Sequence, residues 1–125
     1  MQKRTIADDV LARGTWGEVR FAPDRGGKLQ AKEFLESVTD QEYRSVFALI
    51  SRLANVGAIR NIEQFRKEEG NIFAIKRHQI RIGCFQSGNV WYLTHGFIKK
   101  QNKWPKAELT RASDICAHYL DTHSK

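Results

Sequence analysis

Ile72-Phe73-Ala74-Ile75-Lys76-Arg77, Ile80-Arg81-Ile82-Gly83-Cys84-Phe85 and Val90-Trp91-Tyr92-Leu93-Thr94 follow one another with short breaks between them. All three runs are rich in β-branched and aromatic residues, the types that fit a pleated, half-buried surface. Gln86-Ser87-Gly88-Asn89, between the second and third runs, has the composition of a hairpin turn. The break at His78-Gln79 contains neither Gly nor Asn, so its turn chemistry is less marked. The stretch predicts three consecutive antiparallel strands.

Helical periodicity lies upstream. Ala31, Phe34, Leu35 and Val38 fall on one face of a short helix. Thr39-Asp40-Gln41-Glu42 is a capping box, in which hydroxyl and carboxylate satisfy the free N–H groups at a helix start. Tyr43, Val46, Phe47, Ile50, Leu53 and Ala54 continue as one apolar stripe, and Gly57 is placed to end it in a left-handed cap. Both stripes read as core. Before them, Glu18-Val19-Arg20-Phe21 alternates as a short strand, and Pro23-Asp24-Arg25-Gly26-Gly27 marks a turn. In residues 58–71, Ile59, Ile62 and Phe65 are expected to dock on the core, and residues 67–71 to form an exposed turn. Downstream, Trp104-Pro105 opens a last helix, with Leu109, Ala112, Cys116, Tyr119 and Leu120 on its apolar face.

The order is therefore β-α-α-β-β-β-α. This is an α+β domain with helices packed on one face of a small antiparallel sheet, spanning residues 16–125. Residues 1–15 form an extension, either flexible or a short helix started by Thr5-Ile6-Ala7-Asp8 and ending near Gly14. A chain of 125 residues suits one domain, and it can bury about two-thirds of its unfolded surface without staples. No apolar run approaches the ~20 residues of a membrane span, and the first residues lack the apolar core of a signal peptide. Two cysteines, Cys84 and Cys116, without a CxxC pair argue against a disulfide scaffold or zinc knuckle. A reducing cytoplasm is the expected setting, and no metal or cofactor is expected.

Charge narrows the partner. Residues 1–70 hold 12 basic and 11 acidic side chains, whereas residues 71–125 hold 9 basic and 3 acidic ones. Residues 71–107 carry Lys76, Arg77, Arg81, Lys99, Lys100, Lys103 and Lys106 and no acid. A one-sided field of this kind favours a polyanion, with nucleic acid the commonest; the plainer alternative is a solvated basic face. If Phe73, Ile75, Ile80, Ile82 and Cys84 face the helices, Lys76, His78, Arg81 and Phe85 face the other way. The expected surface is an open basic sheet with Phe85, and Tyr92 beside it, between the charges. Cations hold phosphates and rings stack bases, which suits single-stranded RNA. No helix has the character of a major-groove reader.

Ile75-Lys76-Arg77, Ile80-Arg81-Ile82 and the run from Leu93 through His95-Gly96-Phe97-Ile98-Lys99-Lys100 to Trp104-Pro105-Lys106 resemble the RelE/HigB superfamily of toxin–antitoxin toxins. The similarity is greatest to its phage-derived, HigB-like branch, and it covers roughly residues 18–120. It implies a cytoplasmic, metal-independent mRNA endonuclease that enters the ribosomal A site and inhibits translation. In such toxins the RNA 2′-hydroxyl attacks the adjacent phosphate, leaving a 2′,3′-cyclic phosphate and a 5′-hydroxyl. The resemblance also implies a cognate antitoxin, often with a helix-turn-helix, through which operator DNA is bound. Carried over residue by residue, it makes Lys76, Arg81, Lys99 and Lys100 the catalytic set. Arg77, His78, Phe85, His95, Lys103 and Lys106 complete the expected RNA-binding face.

The residue types fit that chemistry. Fixed cations stabilise a dianionic phosphorane, and an arginine can hold two phosphate oxygens at once. One group must accept the 2′-hydroxyl proton, and Lys76 and His78 are the candidates; another, Lys99 or Lys100, protonates the leaving oxygen or stabilises its charge. No acid stands near the cluster in the sequence. By strand parity His95 shares a face with Leu93 and Phe97 and is either structural or RNA-binding. Trp104 is either a hydrophobic staple for the last helix, the favoured reading, or a base-stacking ring. Cys84 reads as a small core residue. A non-catalytic RNA- or ribosome-binding module on the same fold is the alternative reading.

Overall fold

The three runs fold as the expected strands, and they form the middle of a larger sheet. A computed structural model describes residues 5–6, 9–100 and 104–123. Its elements are β1 (Val10–Arg13), β2 (Glu18–Phe21), α1 (Gln30–Ser37), α2 (Asp40–Val56), β3 (Phe65–Glu69), β4 (Ile72–Arg77), β5 (Ile80–Ser87), β6 (Val90–Ile98) and α3 (Lys106–His123). The class is α+β, as expected, but the sheet has six strands in the order β1-β2-β6-β5-β4-β3.

Four expectations are corrected. Val10–Arg13, assigned to an extension that was flexible or helical, is an edge strand antiparallel to β2; its Thr5–Asp8 capping box includes Ala7 and Asp8, which lie outside the described residues. Phe65–Glu69, assigned partly to an exposed turn, is the opposite edge strand. The sheet is mixed, because β2 runs parallel to β6. The helices do not share one face.

Alternation explains that last point. Val19, Phe21, Phe65, Ile75, Ile80, Ile82, Cys84, Trp91 and Leu93 form one core with Ala31 and Leu35 of α1 and Val46, Ile50 and Leu53 of α2. The opposite side of the sheet offers Ala22, Ile72 and Phe85, and α3 covers these with Ala112, Ile115 and Cys116. Ile59 and Phe65 are buried as expected, whereas Ile62 stays 63% exposed. The capping box at Thr39 forms in both directions, with Glu42 N to Thr39 Oγ1 at 3.1 Å and Thr39 N to Glu42 Oε1 at 2.9 Å. Gly57 closes α2 at φ 89°, a conformation that disfavours any Cβ. Gly96 has a packing role instead: a Cβ there would run into the Phe34 ring of α1.

Candidate functional site

Strand β4 pairs with β5 without a bulge, so Lys76 lies opposite Arg81 on the sheet face away from α1 and α2. β6 continues the row and delivers Lys99 just past its end, where the Lys99 N–H donates to the Gln79 carbonyl at 2.7 Å. Burial first, then the charges of Arg81, Lys76 and Arg66, hold the Lys99 ammonium below the ordinary lysine value. Three of the expected cations therefore meet at one end of the sheet. Lys76 Nζ donates to the Ile62 carbonyl at 3.1 Å. Lys100 follows in the chain and is exposed.

Arg81 is the most constrained of these groups. It is 9% exposed, and desolvation lowers its pKa. Its Nη1 donates to the His78 carbonyl at 2.7 Å and to the Ile80 carbonyl at 2.8 Å. Nε is buried without a hydrogen-bond partner.

Two further residues of the site went unread in the sequence because β3 did. Arg66 pairs in register with Ala74, which shares its sheet face with Lys76. Glu68 is the extra residue of a β-bulge: Lys67 opposes Phe73 and Glu69 opposes Ile72. Bulges re-aim side chains near functional sites, and the Glu68 charge reaches both Arg81 and Lys99. The expectation of a cluster without an acid is thus corrected. The available signal was Gly70-Asn71 directly before Ile72, a two-residue hairpin turn with Gly70 at φ 55°.

The remaining expected residues that are described do not join the cluster. Arg77 points to the helical side, where its Nε donates to Ser45 Oγ on α2 at 2.7 Å. His78 is exposed, but it lines a small cleft with Thr39, Gln41, Glu42 and Ser45 at the start of α2. Phe85 is fully buried beneath α3, stacked with Tyr92; strand parity assigned its face correctly, but α3 covers that face, so Phe85 is no exposed stacking ring. Lys106 is exposed at the start of α3, and Lys103 lies outside the described residues.

Of the two readings left open for His95 the structure fits the structural one, while its strand parity and its place on the RNA-binding face are corrected. A bulge at Thr94 sets Gly83 opposite His95 and Cys84 opposite Leu93, which reverses the parity. His95 therefore faces α3, 1% exposed, and is no exposed RNA contact. Its Nε2 lies 3.0 Å from Glu108 Oε1 of α3, and its Nδ1 lies 3.2 Å from Thr94 Oγ1. Burial, opposed by Glu108 and aided by Arg111, holds the imidazole below its ordinary pKa, so the neutral ring donates through Nε2 and accepts at Nδ1. Phe97 stacks on His95, and Trp104 packs edge-on against both rings. Trp104 thus acts as a staple at the start of α3. Cys84 is buried in the core, and its thiol is pushed far above the ordinary range by desolvation.

Chemically, the end of the sheet offers the fixed Arg81 guanidinium, that of Arg66, two ammonium groups and one carboxylate, the others all within electrostatic reach of Lys99. Among the described residues, no group of three or more His, Cys, Asp or Glu could hold a metal ion, and no helix is long and apolar enough to cross a membrane. No curated protein matches the chain. A family model described as phage-derived protein Gp49-like (DUF891) matches residues 33–116. That span begins in α1 and ends within α3, so it includes all of β3 to β6 and the cationic cluster they carry, and the chain belongs to the phage-derived Gp49-like family.

Proposed function

We propose that this chain is the toxin of a toxin–antitoxin pair and cuts mRNA on the ribosome, inhibiting translation. The observation that carries the reading is the convergence of Lys76, Arg81 and Lys99 on one end of the sheet with Glu68 among them. The 2′-oxygen forms a bond to phosphorus as the bond to the 5′-oxygen breaks. Glu68 accepts the 2′-hydroxyl proton, and Lys99 or Lys100 gives a proton to the departing 5′-oxygen. Arg81 and Lys76 stabilise the phosphorane, whose charge exceeds that of the ground-state phosphodiester. Membership of a phage-derived family and the resemblance to RelE/HigB toxins support the assignment. The implied partners are the ribosomal A site with its mRNA and a small antitoxin, which brings operator DNA. The implied compartment is the cytoplasm, where translation runs.

The test is induction of the chain in growing cells, with primer-extension mapping of mRNA ends. Growth arrest with cuts at ribosome-positioned codons, lost in Arg81→Ala at equal soluble protein, is the expected result. Salt-dependent ribosome binding without cuts would establish the alternative, a non-catalytic module on the same fold.

A further inference from the structure

His78 stands in a conformation that few side chains adopt. It is the first residue of the two-residue turn between Arg77 and Ile80, and its φ is 54°. Among the described non-glycine residues only His78 has a positive φ. Histidine, asparagine and aspartate are enriched among such residues, whereas β-branched side chains are strongly disfavoured there. Unusual backbone conformations of this kind persist where surrounding structure holds them, and they cluster at functional sites.

The turn sets this residue between two sides of the molecule. His78 lines the small cleft with Thr39, Gln41, Glu42 and Ser45 at the start of α2. The carbonyl goes to the cationic side and takes the Arg81 Nη1 hydrogen at 2.7 Å. The next carbonyl, of Gln79, takes the Lys99 N–H at 2.7 Å. Because Arg81 Nε is buried without a partner, the observed hold on the guanidinium comes from Nη1, bonded to His78 and Ile80. Ile80 is in the strand itself, so the aim of the His78 carbonyl is the part of that hold that depends on the turn.

We propose that His78 is a positioning residue for Arg81 that acts through its main chain: its left-handed conformation aims the carbonyl that locks the guanidinium, and its imidazole takes no part. The geometry stands by itself; the consequence for RNA rests on the reading of this face as the mRNA-cutting site. A base at His78 would need its imidazole on the Arg81 side. A positioning role needs only a residue that tolerates positive φ.

The two roles separate by substitution. His78→Gly and His78→Asn remove the imidazole and tolerate the conformation, whereas His78→Val opposes it. Nitrogen-15 NMR of the full chain reads the Arg81 guanidinium directly. Slow rotation about the guanidinium bonds is expected in the wild type, His78→Gly and His78→Asn, and fast rotation in His78→Val. His78→Ala, which disfavours positive φ more gently, moves in the same direction by less and serves if the valine variant does not fold. Unchanged slow rotation in both His78→Val and His78→Ala would overturn the proposal, as would fast rotation in His78→Gly. In single-turnover cleavage, His78→Val should slow the wild type about tenfold and slow the already slower Arg81→Lys no further, since a misplaced group is lost only once. Equal slowing in both backgrounds would mean general damage and would also overturn it. If the wild type does not cut RNA, the functional reading fails, and the NMR result still decides the role of His78.

Discussion

At the scale of single residues, Arg81 and Glu68 make the sharpest contrast. Arg81 has one nitrogen tied to two carbonyls, which fixes the plane of its fork against the sheet. A lysine cannot reproduce that: its ammonium is one point charge on a flexible stem. Arg81→Lys should therefore lower mRNA cleavage at least about tenfold with little change in ribosome affinity, the signature of a group needed in the transition state. Single-turnover cleavage beside ribosome pelleting checks this. Glu68→Gln separates two roles for the carboxylate. As proton acceptor its loss should cut the rate by about a hundredfold or more, while removing a negative charge from beside Arg81 and Lys99 should tighten RNA binding. A faster Glu68→Gln enzyme would show that the carboxylate only screens the cations. Lys76 and Arg81 were legible in the sequence because their strands pair without interruption, so alternation alone assigns their face. His95 was not, because one extra residue at Thr94 reverses every side chain beyond it.

At the scale of elements, α3 decides what the sheet exposes. It covers Phe85 and Ile72, whereas Lys76 stays partly exposed and Arg81 is 9% exposed. The bond between His95 and Glu108 ties the first turn of α3 to β6. The groups facing the imidazole are Glu108 and Arg111 of α3, Thr94 of β6, and the Phe97 and Trp104 rings. Because burial lowers the folded-state pKa of His95, the unfolded chain binds the proton more readily. This contribution to stability is complete above the unfolded imidazole value of about 6.5, and it is lost as pH falls through the lower folded value. Urea unfolding from about pH 7.5 down to about pH 5 should show the wild type losing stability faster than His95→Gln. A parallel decline in the two proteins would locate the acid sensitivity elsewhere. The helices were legible because capping and periodicity agree, as Thr39 and Gly57 confirm. Both edge strands were not. β1 is four residues long, and β3 carries charged side chains at every position after Phe65, as strands at exposed edges do.

At the scale of the whole molecule, the fold converts a one-sided charge distribution into a local field. The excess of 9 basic over 3 acidic residues lies in residues 71–125. The β4-β5-β6 meander brings part of that excess to one end of the sheet, and β3 adds Arg66 and Glu68 from the other half of the chain. A field built for RNA and a merely solvated basic face differ in their salt dependence. Each phosphate neutralised on a single strand adds about −0.7 to the slope of log affinity against log salt concentration. Replacing both Lys76 and Lys99 by glutamine should thus flatten the slope for a single-stranded RNA oligonucleotide by about 1.4. The matched control is Arg44→Gln with Arg52→Gln, which removes the same charge from exposed positions on α2, away from the cluster. That pair should leave the slope within error of the wild type, because its charges sit on α2, which packs on the other face of the sheet from Lys76 and Arg81. Anisotropy titrations at a series of salt concentrations measure both variants. If the two double variants flatten the slope equally, RNA sees only net charge, and the end of the sheet is no site at all.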